Sequence, residues 1–317
     1  MTVLNVPNSS IPDSIRLIDL VIKFNLLNLT PEVEIDEIKL SVPAVNRPGL
    51  QLSGFYDFFD YDRIQILGRS EIGYLKTLTE KERDHIFKKL FKYKIPCVVI
   101  THEQEAFPEM LIHAVINNIP IYSIDWQTSE FMGESIRWLK MKLAPRVTLH
   151  GVLMDIYGEG IIIMGESGIG KSETALKLIS RGHRLVADDA VEISRISRDT
   201  LIGACPHLIQ YFTEVRGIGV IDVKQMFGVE AVKPSQTIDM VLILEHYDPN
   251  KVYNRMGLED EYIEILEHKV ISNTILIRPG RDIAIICEAA AVNNRQKKMG
   301  YNAAKTLNDR LKKSLER

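Results

Sequence analysis

Cysteine, tryptophan and unbalanced charge are all scarce in this 317-residue chain. The three cysteines, Cys97, Cys205 and Cys287, are odd in number and far apart. That excludes a disulfide framework and matches no metal-ligand spacing, so reduced core thiols are expected. No apolar run approaches the length that spans a bilayer, and the N-terminus lacks a basic segment followed by an apolar core. No membrane association and a cytoplasmic location are therefore expected. The net charge is -3, with 15 basic and 19 acidic side chains over residues 1–140 and 24 and 23 over the remainder. Neither part carries the basic excess of a nucleic-acid binder. With 45% hydrophobic and 26% charged residues, the composition is that of a soluble globular chain, long enough for two domains.

One stretch organises the rest. Gly165-Glu166-Ser167-Gly168-Ile169-Gly170-Lys171-Ser172 fits the phosphate-binding loop pattern, Gly, four residues, Gly-Lys-Ser, at every fixed position. The apolar run Ile161-Ile162-Ile163-Met164 precedes it at strand length. Glu173 to Ile179 follows at helical spacing and closes at Arg181-Gly182, a cation and a C-cap glycine. Glycines let the backbone curl with its N–H groups inward, and the helix adds the positive end of its dipole. Lys171 is placed to reach terminal phosphates, and the Ser172 hydroxyl to ligate Mg2+. An ordinary glycine-rich turn with a surface lysine is the competing reading, and the strand and helix flanks argue against it. A nucleoside triphosphate, ATP by the resemblance given below, is the expected ligand.

Before the loop, residues 13 to 27 carry two apolar stripes at helical spacing, Ile15, Ile18, Ile22 and Leu17, Leu20, Phe24. Arg47-Pro48-Gly49-Leu50 reads as a turn and Arg63 to Gly68 as a short strand ending at glycine. Thr79 with Glu82 forms a capping box for a charged helix reaching about Phe91. Cys97 to Ile100 reads as a strand, Glu109 to Asn117 as a helix, Ile119 to Ile124 as a strand and Thr128 to Leu143 as a long helix. This alternation predicts a small α/β domain with a parallel sheet, residues 1–143, of unassigned role. Arg47 and Arg63 could bind an anion, but solvated or salt-bridged arginines are the simpler reading. The boundary falls near Pro145-Arg146, and residues 144–317 form the domain that carries the loop.

In that second domain Thr148 to Tyr157 reads as one strand, Gly158-Glu159-Gly160 as a tight turn, and Ile161 to Met164 as the return into the loop. A hairpin feeding a phosphate loop is unlike the parallel approach of the commonest folds with this motif. His183 to Ala187 reads as a strand ending in Asp188-Asp189. Enzymes of this type need an acid at a strand end for Mg2+. Neighbours on a strand point to opposite faces, so one aspartate can face the metal and the other a substrate hydroxyl. Glu214 to Asp222 mixes charge, glycine and a β-branched strand. Asn254-Arg255-Met256-Gly257 and Leu276-Ile277-Arg278-Pro279-Gly280-Arg281 set arginines beside glycine or proline, as phosphoryl-gripping loops do. Asn302 to Arg317 reads as a docked terminal helix with Leu307, Leu311 and Leu315 on one stripe and a basic face elsewhere.

Taken in order, His150-Gly151-Val152, the glycine loop, Leu185 to Asp189, Glu214-Val215-Arg216-Gly217-Ile218-Gly219, Asn254 to Gly257 and Arg278-Pro279-Gly280-Arg281 resemble bacterial HPr kinase/phosphorylase. Arg47 to Leu50 and Arg63 to Gly68 resemble that family's N-terminal domain, so the likeness covers nearly the whole chain. It implies a P-loop kinase domain like the phosphoenolpyruvate carboxykinase core. It implies phosphorylation of a serine on the phosphocarrier HPr with ATP and Mg2+, and reversal by inorganic phosphate with release of pyrophosphate. Such activity governs carbon catabolite repression and sugar uptake. It also implies a homohexamer responsive to fructose-1,6-bisphosphate. Carried over by position, Gly165 to Ser172 hold the nucleotide, Ser172 with Glu214 ligates Mg2+, and Asp189 is the base that becomes the acid in reverse. His150, Lys171 and Arg255 complete the catalytic set, Thr213 to Asp222 serve both directions, and Leu276 to Arg281 serve dephosphorylation. Two other readings share the loop: a different P-loop ATPase or small-molecule kinase, and a non-catalytic nucleotide-sensing regulator.

Overall fold

The computed structural model describes residues 14–248, 258–278 and 280–315, and the chain divides into two compact units between Ala144 and Pro145. In the N-terminal unit Val45–Asn46, Ile64–Leu67, Val98–Ile100 and Ile121–Ser123 pair in parallel, with Leu27–Asn28 antiparallel at one edge. These strands are apolar on both sides because both faces are covered. Leu67, Val98 and Ile100 pack with Phe87, Leu90, Met110 and Ala114 from helices Glu80–Leu90 and Pro108–Ile116. Ile64, Ile66, Cys97 and Val99 pack with Leu17, Leu20, Phe24, Phe131 and Leu139. Each fully buried Phe or Leu contributes about 1.5–3 kcal/mol.

Local chemistry sets the ends of these elements. Thr79 and Glu82 cap the helix reciprocally, with the Thr79 amide donating to Glu82 Oε2 at 2.7 Å. The first helix is shorter than its apolar spacing suggests, Leu17–Phe24, because Ile15–Arg16 pairs with Lys39–Leu40. Of its two stripes, Leu17, Leu20 and Phe24 are buried and Ile22 is exposed. Arg47 donates twice to Glu71, at 3.0 and 2.8 Å, and Arg63 pairs with Asp60 at 2.9 Å, so both arginines are salt-bridged.

The C-terminal unit is built on a six-stranded sheet whose middle strands are Val152–Ile156, Glu159–Gly165, Met240–His246 and His268–Ile277. Alternation along Ile161-Ile162-Ile163 divides the interior. Ile161 and Ile163 face a layer holding helix Lys171–Ser180 and helix Ile283–Lys298. Ile162 faces a second, four-stranded sheet through Val147, Leu149, Val191 and Ile193. Glu159–Gly165 is antiparallel to Val152–Ile156 and parallel to Met240–His246, so a hairpin does feed the loop.

Three expectations change here. Thr148 to Tyr157 is two strands in different sheets, Arg146–His150 in the four-stranded one and Val152–Ile156 in the six-stranded one. The chain crosses between them at Gly151, where a Cβ would lie 2.9 Å from the Ile163 carbonyl oxygen. The following turn is one residue earlier than its glycines suggest: Tyr157 and Gly158 both take positive φ, and Glu159 already pairs with Ile156. Finally, the terminal helix Ala303–Leu315 buries no residue, and Leu307, Leu311 and Leu315 stay exposed. An amphipathic stripe specifies that a partner is wanted, not that the same chain supplies it.

Cys97, Cys205 and Cys287 are free and buried. Among the described residues, no helix is long and apolar enough to cross a membrane.

Candidate active site at one edge of the six-stranded sheet

Strand direction brings distant segments together. Glu159–Gly165, Met240–His246 and His268–Ile277 run parallel with Gly165 opposite Leu244 and His246 opposite Ile277. Their C-terminal ends therefore deliver the glycine loop and Leu276-Ile277-Arg278 to one edge. Arg184–Ala187 is antiparallel to Val152–Ile156, which places Asp188-Asp189 and His150-Gly151 at that same edge. The carboxyl ends of such strands are where open α/β sheets bind ligands.

The loop takes the form its glycines allow, with positive φ at Gly165, Gly168 and Gly170. Gly170 caps helix Lys171–Ser180, whose first hydrogen bond runs from the Thr174 amide to the Gly170 carbonyl. The amides of Gly168, Gly170, Lys171 and Ser172 thus meet no acceptor among the described residues. Four donors at a helix N-terminus form an anion cradle. Lys171 is buried, and its Nζ donates to the carbonyls of Gly165 and Glu166 at 2.9 and 3.0 Å, which holds the ammonium at the loop.

Asp188 and Asp189 separate by environment. Asp188 is buried and its Oδ1 accepts from Ser172 Oγ at 3.2 Å and from the Asp189 amide at 3.0 Å. Burial raises its carboxyl above the ordinary range, against the hydrogen bonds of Ser172 and the Asp189 amide. Asp189 has φ 67 and an exposed side chain, which turns it out of the strand toward His150. His150 Nδ1 lies 2.9 Å from Asp189 Oδ1. The sequence leaves open which of the two aspartates faces the metal. The signal was present in the apolar run that leads into Asp188 and buries it.

Glu214 lies in a hairpin, Phe212–Val215 with Gly219–Asp222, not in a single strand. Its neighbours Thr213 and Val215 are buried and Glu214 is exposed, the alternation a strand imposes. No hydrogen bond joins Glu214 to Ser172 among the described residues, and the buried oxygen against that hydroxyl belongs to Asp188. At the turn of this hairpin, the Arg216 guanidinium packs on Gly168. Arg278 stacks over the Tyr247 ring at 4.7 Å, and Arg281 Nη1 donates to the Leu276 carbonyl at 3.0 Å. Arg255 and Pro279 lie outside the described residues.

Among the described residues no group of three or more His, Cys, Asp or Glu side chains could hold a metal. Ser172 and Asp188 nevertheless offer two adjacent oxygens, a donor set that suits Mg2+, which takes one or two protein ligands and completes its shell with water and phosphate oxygens.

Comparison with known proteins follows the same division of the chain. A family model described as HPr Serine kinase N terminus matches residues 15–139, and one described as HPr Serine kinase C-terminal domain matches residues 141–311. The HPr kinase/phosphorylase of Lachnoclostridium phytofermentans is 54% identical over 305 residues, 95% of this chain and 98% of that protein. That of Caldicellulosiruptor bescii is 51% identical over 295 residues, 93% of this chain and 95% of the other. A solved structure of the Hpr(Ser) kinase/phosphatase from Coxiella burnetii aligns at 32% identity and a TM-score of 0.45, over 50% of this chain and 97% of that one.

Proposed function

Because the chain belongs to the HPr kinase/phosphorylase family, we propose that it transfers a phosphoryl group from ATP to a serine of HPr and removes it again with inorganic phosphate. The observation that carries the reading is the meeting, at one sheet edge, of a glycine loop with free amides among the described residues, Ser172 bonded to the buried Asp188, and an exposed Asp189 oriented by His150.

On this reading residues 144–317 are a P-loop kinase domain of the phosphoenolpyruvate carboxykinase type, and Gly165 to Ser172 hold the nucleotide. The loop amides and Lys171 bind the β- and γ-phosphates. Ser172 Oγ and Asp188 would hold Mg2+, with Glu214 as the further ligand that the family resemblance implies. The bound ion would supply charge neutralisation at the transferred phosphoryl group. In the forward direction the HPr serine oxygen attacks the γ-phosphorus, the bond to the β-phosphate oxygen breaks, and the serine proton passes to Asp189. In reverse, a phosphate oxygen attacks the phosphoserine phosphorus and the bond to the serine oxygen breaks. Asp189 returns the proton to serine, and pyrophosphate leaves. One carboxylate serves both directions because a base going forward is the acid going back. Its exposure suits a group that must meet a macromolecular hydroxyl. His150 keeps that carboxylate oriented, Arg255 stabilises the transferred phosphoryl group, and Leu276 to Arg281 contribute to the reverse reaction.

Assembly as a homohexamer, a response to fructose-1,6-bisphosphate and a cytoplasmic location complete the proposal and rest on the family resemblance. Residues 1–143 form a separate α/β domain whose role the reading leaves unassigned. The test uses the purified chain, HPr, Mg2+ and ATP labelled at the γ-phosphate, followed by removal of ATP and addition of inorganic phosphate. Label moving to a serine of HPr and then leaving as pyrophosphate is the expected result. ATP hydrolysis with HPr untouched would leave only a nucleotide-binding domain of another kinase or ATPase.

A further inference from the structure

The turn of the hairpin Phe212–Val215/Gly219–Asp222 carries an arginine with no charge partner among the described residues. Arg47, Arg83 and Arg181 are each held by a carboxylate at 2.8 Å or closer. Arg216 has no ion-pair or hydrogen-bond partner among the described residues, although Glu214 and Asp222 lie in the same hairpin. Its guanidinium instead packs on Gly168, where a Cβ would fall 2.6 Å from Nη1 and 2.8 Å from Nη2. Gly168 is the middle glycine of the loop, with φ 85. A side chain on that glycine would compete with the arginine for the same space. Thr213, in the first strand of the same hairpin, is buried beside Asp188. The hairpin therefore touches both sides of the loop, near Ser172 through Asp188 and at Gly168 through Arg216.

We propose that Arg216 is a phosphate-binding residue, which takes the phosphate chain of the nucleoside triphosphate, or pyrophosphate, at Gly168 while Lys171 meets it from the Gly165–Glu166 end of the loop. The proposal rests on the glycine loop being the nucleotide site and not on HPr being the acceptor. A planar guanidinium offers five donors and suits two phosphate oxygens at once, whereas an ammonium meets them as a point charge. Through Arg216 the hairpin that carries Glu214 takes its register from the phosphates.

The test is calorimetric titration of the full-length protein with Mg2+–pyrophosphate and with Mg2+–ATP, alongside thermal unfolding. Arg216→Ala should weaken both ligands about ten- to a hundredfold, the scale of a lost charge-assisted hydrogen-bond pair. Its pyrophosphate affinity should also depend less on salt than that of the wild type. Arg216→Lys should recover part of the affinity, and the melting temperature without ligand should stay at the wild-type value. Pyrophosphate affinity and salt dependence unchanged in Arg216→Ala, with or without a lower melting temperature, would make the arginine a packing group and overturn the proposal. A wild type that binds pyrophosphate but leaves HPr unlabelled overturns only the assignment of the acceptor.

Discussion

One nitrogen of His150 makes two contacts with Asp189: Nδ1 lies 2.9 Å from the carboxylate Oδ1 and 3.0 Å from the backbone carbonyl oxygen. A carbonyl can only accept, so Nδ1 carries a proton and donates toward both oxygens. The backbone supports the pair, since His150 sits opposite Ala190 in the sheet and the Gly151 amide donates to the Asp189 carbonyl at 3.2 Å. Ring, carboxylate and main chain are tied at one place.

Replacing Asp189 with Asn should lower HPr phosphorylation and phosphorolysis together, each by about 10²–10⁴-fold, the usual worth of a positioned acid–base group. Nucleotide affinity should be retained, because Asp189 makes no hydrogen bond or ion pair with the loop among the described residues. Rates in both directions, measured beside ATP binding, check this. A protein that keeps near-normal phosphorolysis would remove Asp189 from the proton path.

His150→Ala should act through Asp189 and so have the milder effect, a loss of about tenfold in turnover with the KM for ATP unchanged. The sharper measurement is the double variant: with Asp189 already replaced by Asn, removing His150 should cost little further turnover, because the ring acts through that carboxylate. A full additional loss in the double variant would show that His150 does not act through Asp189.

Asp188→Asn should separate stability from activity. Burial raises this carboxyl above its ordinary range, so its folded-state pKa exceeds the unfolded one. Ionised Asp188 therefore costs stability once the pH passes that range, and the cost disappears below it. At neutral pH the variant should melt higher than the wild type by about 2–4 °C. The gap should close in acid, while Mg2+-dependent phosphorylation is lost throughout. A variant that melts lower at neutral pH would show that the carboxylate is stabilising where it lies.

Acid should loosen a different contact. Glu288 receives Arg181 at 2.7 and 2.6 Å and His183 Nε2 at 2.9 Å, which ties helix Ile283–Lys298 to the segment after helix Lys171–Ser180. The Arg181 hydrogen bonds are the main reason its carboxyl is held down to about 2. The folded pKa lies below the unfolded one, so this stability is complete above the ordinary value of 4.5 and drains away as the pH falls toward 2. Thermal unfolding across that interval should be steeper for the wild type than for Glu288→Gln, which should start lower at neutral pH. Parallel curves would exclude the contact as the acid-sensitive one.

The parts that could be read from the sequence are those decided locally. The glycine loop depends on which residues tolerate positive φ, and the capping box at Thr79 on a spacing of three, so both are visible without tertiary structure. The parallel strands Ile64–Leu67, Val98–Ile100 and Ile121–Ser123 are apolar runs between helical spacings and are equally plain. Long-range contact decided the rest. Residues 148 to 157 are an unbroken β-rich run, and only the approach of Ile163 shows why the chain must break at Gly151. Adjacent aspartates look alike in sequence until Ser172 buries one and His150 faces the other. The packing of Arg216 on Gly168, 48 residues earlier, leaves no trace in either motif alone.

The crossing at Gly151 has a counterpart at Asp188-Asp189, where the chain returns from the six-stranded sheet to the four-stranded one at Ala190. His150 and Asp189 thus ride on two neighbouring bridges between the same pair of walls. Neither can be transplanted alone: a designer grafting one bridge into another scaffold would receive half a reaction centre. The spacing of the walls also becomes a tuning screw for chemistry, set by such filler as Leu153 and Val191 in the layer between them. Changes of side-chain volume there, remote from any phosphate, would shift the carboxylate relative to the glycine loop and alter turnover without touching a single polar group.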